Sequence, residues 1–156
     1  MKNYLPIGLL FVVVLIWGCG ESFVVDEKTT FDQKEWSYDN VLDYKLSVTD
    51  TSKRYNLFLE IDHTTDYEFQ NIYMNVYTKY PSGKEIKQPL NLDLAEVVGK
   101  WKGECKGERC KALVVLQQNT YFNELGVHYF KFEQNTRTKN LPYINSISFR
   151  VQEVSE

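Results

Sequence analysis

Hydrophobic and polar residues alternate along most of the chain after residue 40. At residues 41–49, apolar side chains occupy every second position and charged or small polar side chains lie between them. The same period recurs at residues 55–62 and 72–80, and each run is followed by turn-forming residues. A two-residue period places the apolar side chains of a β-strand on one face. The pattern therefore predicts half-buried β-strands joined by short turns.

Further runs extend this pattern toward the end of the chain. A fourth predicted strand covers residues 86–94 and contains Pro89, so it is expected at a sheet edge or at a bulge. Residues 63–66 are expected to end the second strand, and residues 93–98 to form one helical turn between Asp93 and Gly99. The fold class predicted from these runs is all-β, an antiparallel β-sandwich of about seven to eight strands with little helix. The remaining predicted strands are residues 113–118, 127–133 and 144–151, with an eighth near residues 23–25.

The first residues follow a different pattern. Lys2 precedes an apolar run from residue 7 to residue 17, as in the n-region and h-region of an export signal. The run ends at Ile16-Trp17-Gly18-Cys19, which resembles the lipobox of bacterial lipoproteins. In such signals the peptide is cleaved before the cysteine, whose thiol receives a lipid. We therefore predict a signal peptide at residues 1–18, a lipidated Cys19 with a tether at residues 19–30, and a β-sandwich domain at residues 31–156.

Two alternatives to the lipid anchor are an uncleaved membrane helix and a soluble secreted form. The apolar run is shorter than the ~20 residues that span a bilayer, which favours the lipid anchor. Gly20 follows Cys19, where enteric bacteria place aspartate in lipoproteins retained in the inner membrane. We expect a membrane-anchored lipoprotein of the cell envelope, with the outer membrane favoured over the inner membrane.

Composition excludes several classes of function. The chain has 18 Lys+Arg and 21 Asp+Glu, so it lacks the basic excess typical of nucleic-acid binders. His63 and His128 are its two histidines, and neither lies in a G-x-S-x-G or H-E-x-x-H motif. A small hydrolase using one of them is a minor alternative. We expect no catalytic residue, no metal, no small-molecule substrate and no cofactor apart from the covalent lipid on Cys19.

Cys105 and Cys110 lie close together in a loop rich in Gly, Lys and Glu. An exported protein reaches an oxidising compartment, where a disulfide between them is expected. The alternatives are free thiols or, as the weakest, a zinc site, which would need two more ligands at suitable spacing.

Phe58, Tyr73 and Tyr77 alternate with the apolar residues of their predicted strands, so they lie on the face that is otherwise polar. They are therefore candidates for an exposed aromatic binding surface, suited to a sugar ring or a protein partner. The alternative is that both faces of the sheet are covered, or that a bulge reverses the parity.

Short pieces of sequence also stand in a characteristic order along the chain. They are the lipobox at Cys19, Glu35-Trp36, Tyr55-Asn56-Leu57-Phe58-Leu59, Asp66-Tyr67-Glu68-Phe69-Gln70-Asn71-Ile72-Tyr73, Pro81-Ser82-Gly83-Lys84, Gly99-Lys100-Trp101, Gly126-Val127-His128-Tyr129-Phe130-Lys131-Phe132-Glu133-Gln134 and Leu141-Pro142-Tyr143-Ile144. Together they resemble the family of gliding-motility lipoproteins called GldH. The loop with Cys105 and Cys110 departs from that family, whose corresponding loop usually carries glycine and aspartate.

The resemblance implies a lipid-anchored protein that gliding bacteria need for movement over surfaces. Its members act alongside other envelope motility lipoproteins and the associated protein-secretion machinery. No enzymatic activity is implied, so Cys19 is the one functional residue that transfers. We expect a non-catalytic binding or assembly component. The alternative is a glycan-binding envelope lipoprotein that uses the exposed aromatic face.

Overall fold

A computed structural model describes residues 23–154 of the chain. These residues form eleven β-strands, and their one helical element is a 3-10 turn at Asp32–Lys34. The predicted signal peptide and Cys19 lie outside the described residues. The strands are β1 (Phe23–Thr30), β2 (Glu35–Ser37), β3 (Leu42–Val48), β4 (Tyr55–Thr64), β5 (Asn71–Lys79), β6 (Glu85–Asp93), β7 (Glu104–Lys106), β8 (Arg109–Thr120), β9 (Gly126–Gln134), β10 (Asn140–Pro142) and β11 (Ile144–Glu153).

All strand pairs are antiparallel, and they form two main sheets. The first has five strands in the order β1-β11-β4-β8-β7, and the second has four strands in the order β3-β9-β5-β6. Strands β2 and β10 form a separate two-stranded ribbon. The all-β, sandwich-like fold predicted from the alternating pattern is confirmed.

The two main sheets pack through a shared aromatic cluster. Phe149 of the five-stranded sheet is fully buried and contacts three rings of the other sheet. Its ring centre lies 5.5 Å from that of Tyr44, 5.0 Å from that of Phe130 and 5.8 Å from that of Phe132. Aromatic pairs at these distances add stabilisation beyond the area they bury. This cluster therefore holds the two layers together at the centre of the domain.

The hydroxyl of Tyr44 is the polar group inside this cluster. It donates a hydrogen bond either to Thr29 Oγ1 at 3.0 Å or to the carbonyl of Ile147 at 3.1 Å, both on the five-stranded sheet. Burial raises the pKa of Tyr44 to about 12. The hydroxyl therefore keeps its proton at physiological pH and satisfies its hydrogen-bonding capacity across the sandwich.

The domain begins earlier than the sequence pattern predicts. Residues 23–30, assigned to the tether apart from a short strand near residues 23–25, form β1 and pair along their length with β11. The alternating pattern does not predict the full strand, because Asp26, Glu27 and Lys28 interrupt the alternation at an exposed sheet edge. The tether predicted at residues 19–30 is therefore too long, and the folded domain includes Phe23.

Two other local predictions are wrong. Strand β4 continues through His63 to Thr64. Both side chains are buried, and both residues pair with β8. Residues 93–98 form no helical turn. Leu94 is buried, Ala95 bridges to Trp101, and a backbone turn joins Glu96 to Gly99. The edge position predicted for the strand with Pro89 is confirmed, because β6 lies at the end of its sheet.

Candidate functional site

Strand β8 carries an unprotected sheet edge. The short β7 pairs with β8 only at residues 109–111, and β4 occupies the other side of β8. Beyond Ala112, no further strand of residues 23–154 pairs with β8. Residues 112–120 contain no charged side chain, and Leu113 and Val115 are 49% and 46% exposed. Long, apolar, uncharged edges are the ones that accept another strand.

The other edge strands of the two sheets carry features that oppose strand addition. Strand β1 has three consecutive charges at residues 26–28 and a bulge between Phe23 and Val25. Strand β3 presents Asp43 and Lys45, and β6 contains Pro89. Charges, prolines and bulges are the devices by which natural sheets prevent edge-to-edge pairing. Residues 112–120 carry neither a charge nor a proline, which sets the β8 edge apart. Bulges against β4 interrupt its register between Val115 and Thr120, so the regular part of this edge is residues 112–115.

A groove runs between β8 and β6, the facing edge strands of the two sheets. Its deeper part has a volume of about 350 Å³ and reaches core side chains of both sheets. A second part, of about 310 Å³, continues the groove toward Gly103 and Val115. We call this feature the edge groove. Apolar and polar side chains line it in similar measure. The apolar ones include Leu57, Val76, Leu90, Val114, Leu116 and Phe130, and the polar ones include Gln88, Gln117, Asp93 and Lys102.

The structure separates the three predicted surface aromatics. Phe58 lies in β4, on the outer face of the five-stranded sheet, where its ring packs edge-on against Phe23 at 6.3 Å. Tyr73 and Tyr77 lie in β5, on the outer face of the four-stranded sheet. Phe58 therefore does not share a surface with the two tyrosines.

Tyr77 is held by charged neighbours. The ammonium groups of Lys131 and Lys87 lie 4.5 Å and 5.1 Å from the centre of its ring. Its hydroxyl donates a 2.8 Å hydrogen bond to Glu133. The ring and the hydroxyl of Tyr77 are thus engaged within the sheet, whereas Tyr73 is 50% exposed.

Cys105 and Cys110 form a disulfide that closes the hairpin between β7 and β8. The two residues occupy opposite positions in the register, and their Cα atoms are 4.0 Å apart. The sulfur atoms therefore bond to each other and are not available as zinc ligands. Gly103 passes so close to β8 that a Cβ there would collide with the carbonyl oxygen of Lys111. The hairpin covers the start of β8 and leaves the rest of its edge open.

Both histidines are fully buried, so neither side chain is accessible to a substrate. The His63 ring packs 4.6 Å from Trp101, and its Nδ1 lies 2.9 Å from the carbonyl oxygen of Thr64. His128 lies between Phe122 and Tyr80, with ring centres at 4.7 Å and 5.4 Å. Burial lowers the pKa of His63 and of His128 below the ordinary value, because the charged imidazolium is poorly solvated there.

These depressed pKa values predict that acidification destabilises the domain. Below pH ~6.5 both histidines are protonated in the unfolded chain but stay neutral to lower pH in the folded chain. The free energy of unfolding therefore decreases as the pH is lowered. Each histidine removes at most about 1.4 kcal/mol per pH unit. Urea unfolding at pH 7.5 and pH 5.5 measures the loss. The pH-dependent part should shrink in His128→Phe, and equal stability of the wild type at the two pH values would contradict the prediction.

Asp62, next to His63 in β4, is a buried carboxylate that pairs with the exposed side chain of Arg109. Arg109 Nε donates to Asp62 Oδ1 at 2.7 Å, and Asn145 Nδ2 donates to the same oxygen at 2.9 Å. Burial alone raises the pKa of Asp62, but these donors outweigh it and hold the pKa below the ordinary value. Asp62 is therefore an anion with its oxygens occupied, and it joins β4, β8 and the start of β11.

Two absences apply to the part of the chain that the structure describes. Among residues 23–154, no three His, Cys, Asp or Glu side chains cluster closely enough to hold a metal ion. In the same range, no helix has the length and hydropathy needed to cross a membrane.

The sequence pattern predicts a strand at residues 113–118, but it does not predict that one edge of this strand is unpaired. The available signal was the uncharged run Ala112-Leu113-Val114-Val115-Leu116-Gln117, which contrasts with the charged runs in the other edge strands. That contrast becomes informative only when the strand order is known, because an uncharged run is equally typical of a central strand.

Comparison with known proteins identifies the family. The model of a family described as GldH lipoprotein matches residues 23–151, which span most of the described β-sandwich. The chain belongs to the GldH lipoprotein family. The resemblance found in the order of the short sequence pieces is thereby confirmed.

Two curated relatives are similar to this chain. The gliding motility lipoprotein GldH homolog of Christiangramia forsetii is 27% identical over 150 residues, covering 92% of this chain and 91% of the relative. The gliding motility lipoprotein GldH of Flavobacterium johnsoniae is 30% identical over 95 residues, covering 61% of this chain and 59% of that protein.

One solved structure, an arabinose-bound α-L-arabinofuranosidase, aligns with 75% of this chain and 18% of its own. The TM-score is 0.35 and the identity is 8%, so this likeness informs neither fold nor function.

Proposed function

We propose that this GldH family member is a lipid-anchored, non-catalytic component of the gliding-motility machinery that binds an envelope protein through the β8 edge. The observation that carries the proposal is the combination of an uncharged open edge with a groove beside it into which core side chains of both sheets reach. Family membership supports the lipoprotein character, and the names of the two relatives support a part in gliding.

The anchor in this proposal is the lipid on Cys19, which fixes the position of the domain relative to the membrane. Cys19 precedes Phe23 by four residues, so an extended chain between them spans at most about 14 Å. The N-terminal end of β1 therefore lies close to the bilayer surface. Gly20, which follows the acylated cysteine, favours the outer membrane.

The partner in this proposal is an extended segment of another motility or secretion protein of the envelope. Such a segment adds to β8 as a further strand, and its backbone groups pair with those of residues 113–116. Alternate apolar side chains of the segment then face Val114 and Leu116 in the edge groove, or Leu113 and Val115 on the outer face. The expected motif is therefore a strand of alternating apolar residues with few charges.

A non-catalytic role accords with the chemistry of the buried polar groups. His63 and His128 have no access to solvent, and both oxygens of Asp62 accept hydrogen bonds from Arg109. General acid–base catalysis requires a titratable group within reach of a substrate. None of these three side chains meets that condition.

Single-cell gliding of a deletion strain of the native host tests the proposal. The strain is complemented with the wild type, with Cys19→Ala, or with the empty vector. We expect gliding to stop on deletion, to return with the wild type and to remain absent with Cys19→Ala, because the unacylated protein is not held at the membrane. Normal gliding of the deletion strain would refute the motility role, and rescue by Cys19→Ala would refute the anchor.

A further inference from the structure

A second concave site lies away from the edge groove, between the start of β5 and the loop that joins β9 to β10. It has a volume of about 310 Å³, at the lower end of the roughly 300–1,000 Å³ typical of ligand pockets. We call it the aromatic cleft. Its principal lining residues are Phe69, Asn71, Tyr73, Asn135, Arg137 and Thr138.

Two large aromatic rings of the aromatic cleft are open to solvent. Phe69 is 43% exposed and Tyr73 is 50% exposed. Phe69 is held from behind by the buried ring of Tyr67, whose centre lies 5.7 Å away in an edge-on arrangement. The Tyr67 hydroxyl donates a 2.9 Å hydrogen bond to the carbonyl of Asn71. This side of the cleft is therefore fixed by the buried residues beneath it.

The opposite wall is a loop held by several hydrogen bonds. The backbone N–H of Asn135 donates a 2.8 Å hydrogen bond to the carbonyl of Tyr73, which ties the loop to β5. The side chain of the buried Gln134 donates to the carbonyls of Trp36 and Lys139 at 2.7 Å and 2.8 Å. Because both walls are held in place, a ligand would meet a largely pre-formed site.

The charge in the aromatic cleft comes from Arg137. Among residues 23–154, its guanidinium forms no ion pair, whereas Arg109 and Arg150 are both paired with carboxylates. A free guanidinium is well suited to bind a carboxylate through two parallel hydrogen bonds. The side chains of Asn71, Asn135 and Thr138 add neutral hydrogen-bonding groups around it.

We propose that the aromatic cleft binds an acidic saccharide, one that contains uronic-acid rings. The apolar C–H face of a pyranose ring stacks on an exposed aromatic ring, its hydroxyls bond to amide and hydroxyl side chains, and its carboxylate pairs with Arg137. The cleft replaces the platform predicted from Phe58, Tyr73 and Tyr77, of which only Tyr73 lines it. The proposal is independent of strand addition at the β8 edge.

Calorimetric titration of the full-length protein in detergent tests this proposal. The probes are tetragalacturonate, which is acidic, and cellotetraose, which is neutral. We expect tetragalacturonate to bind at least tenfold more tightly than cellotetraose. Tyr73→Ala should weaken the binding of tetragalacturonate at least tenfold through loss of the stacking surface. Arg137→Gln should remove the preference for the acidic saccharide.

Tyr129→Ala is the matched control, because Tyr129 is a 38% exposed tyrosine on the outer face of the same sheet, outside the cleft. It should bind tetragalacturonate as the wild type does. All three side chains are at the surface, and unchanged melting temperatures would establish that the variants fold. The proposal is overturned by the absence of heat with tetragalacturonate, by an equal loss in Tyr129→Ala, or by an acidic preference that survives Arg137→Gln.

Discussion

Replacing both Leu113 and Val115 with lysine is expected to abolish gliding while the domain remains folded. The two side chains lie on the open β8 edge and are about half exposed, so lysine fits there without entering the core. Surface substitutions of this kind usually change the free energy of unfolding by no more than about 0.5 kcal/mol. Lysine on an edge strand opposes the addition of another strand. Single-cell gliding and a urea-unfolding curve of the purified variant measure the two effects.

The matched control for this variant is Val24→Lys. Val24 is 50% exposed and lies in β1, the edge strand on the opposite side of the same sheet. Cells with this variant should glide normally, because β1 already carries three consecutive charges at residues 26–28 that oppose strand addition. Normal gliding of the β8 variant, or an equal defect in both variants, would contradict the assignment of the β8 edge as the binding surface.

Phe149→Ala is expected to lower the free energy of unfolding by about 3–5 kcal/mol, the range measured for large aromatic residues truncated in protein cores. Phe149 is fully buried and contacts Tyr44, Phe130 and Phe132 across the two sheets, so the cavity opens at the joint between the layers. Chemical unfolding of the purified protein measures the loss. A domain stability of 5–15 kcal/mol is typical, so this single change removes a large fraction of it.

Phe69→Ala provides the comparison, because Phe69 is 43% exposed and lies outside the centre of the sandwich. We expect a loss below about 1 kcal/mol, since the removed ring was partly solvated before the change. Similar losses for the two variants would show that the Phe149 cluster does not join the sheets in the way described.

The alternating pattern was sufficient to predict the fold class and the longer strands. In β3, for example, Leu42, Tyr44 and Leu46 are buried while Asp43 and Lys45 are exposed, as the parity requires. The prediction failed where an element is short or lies at an edge. Strands β2, β7 and β10 each have three residues, too few to display a period. Strand β1 carries exposed charges and is held by hydrogen bonds to β11, so its sequence does not show regular alternation of apolar residues.

The candidate sites depend on strand order, which the sequence pattern does not contain. Phe58 and Tyr77 both point outward from their strands, yet β4 and β5 belong to different sheets. Cys105 and Cys110 were predictable as a disulfide because they are five residues apart in a chain that begins with an export-signal pattern. The aromatic cleft brings Tyr73 beside Arg137, and the open edge of β8 faces β6 across the edge groove. Both arrangements follow from long-range pairing, which local periodicity does not specify.

Site-specific photo-cross-linking in gliding cells tests whether the β8 edge binds an envelope protein. A photoreactive amino acid replaces Val115 in one strain and Val24 in another, and each strain is irradiated while its cells move. We expect the protein with the probe at position 115 to be joined to an envelope protein of the motility or secretion machinery. The probe at position 24 should give no such product. Absence of a protein product at position 115, or the same product from both positions, would contradict binding at the β8 edge.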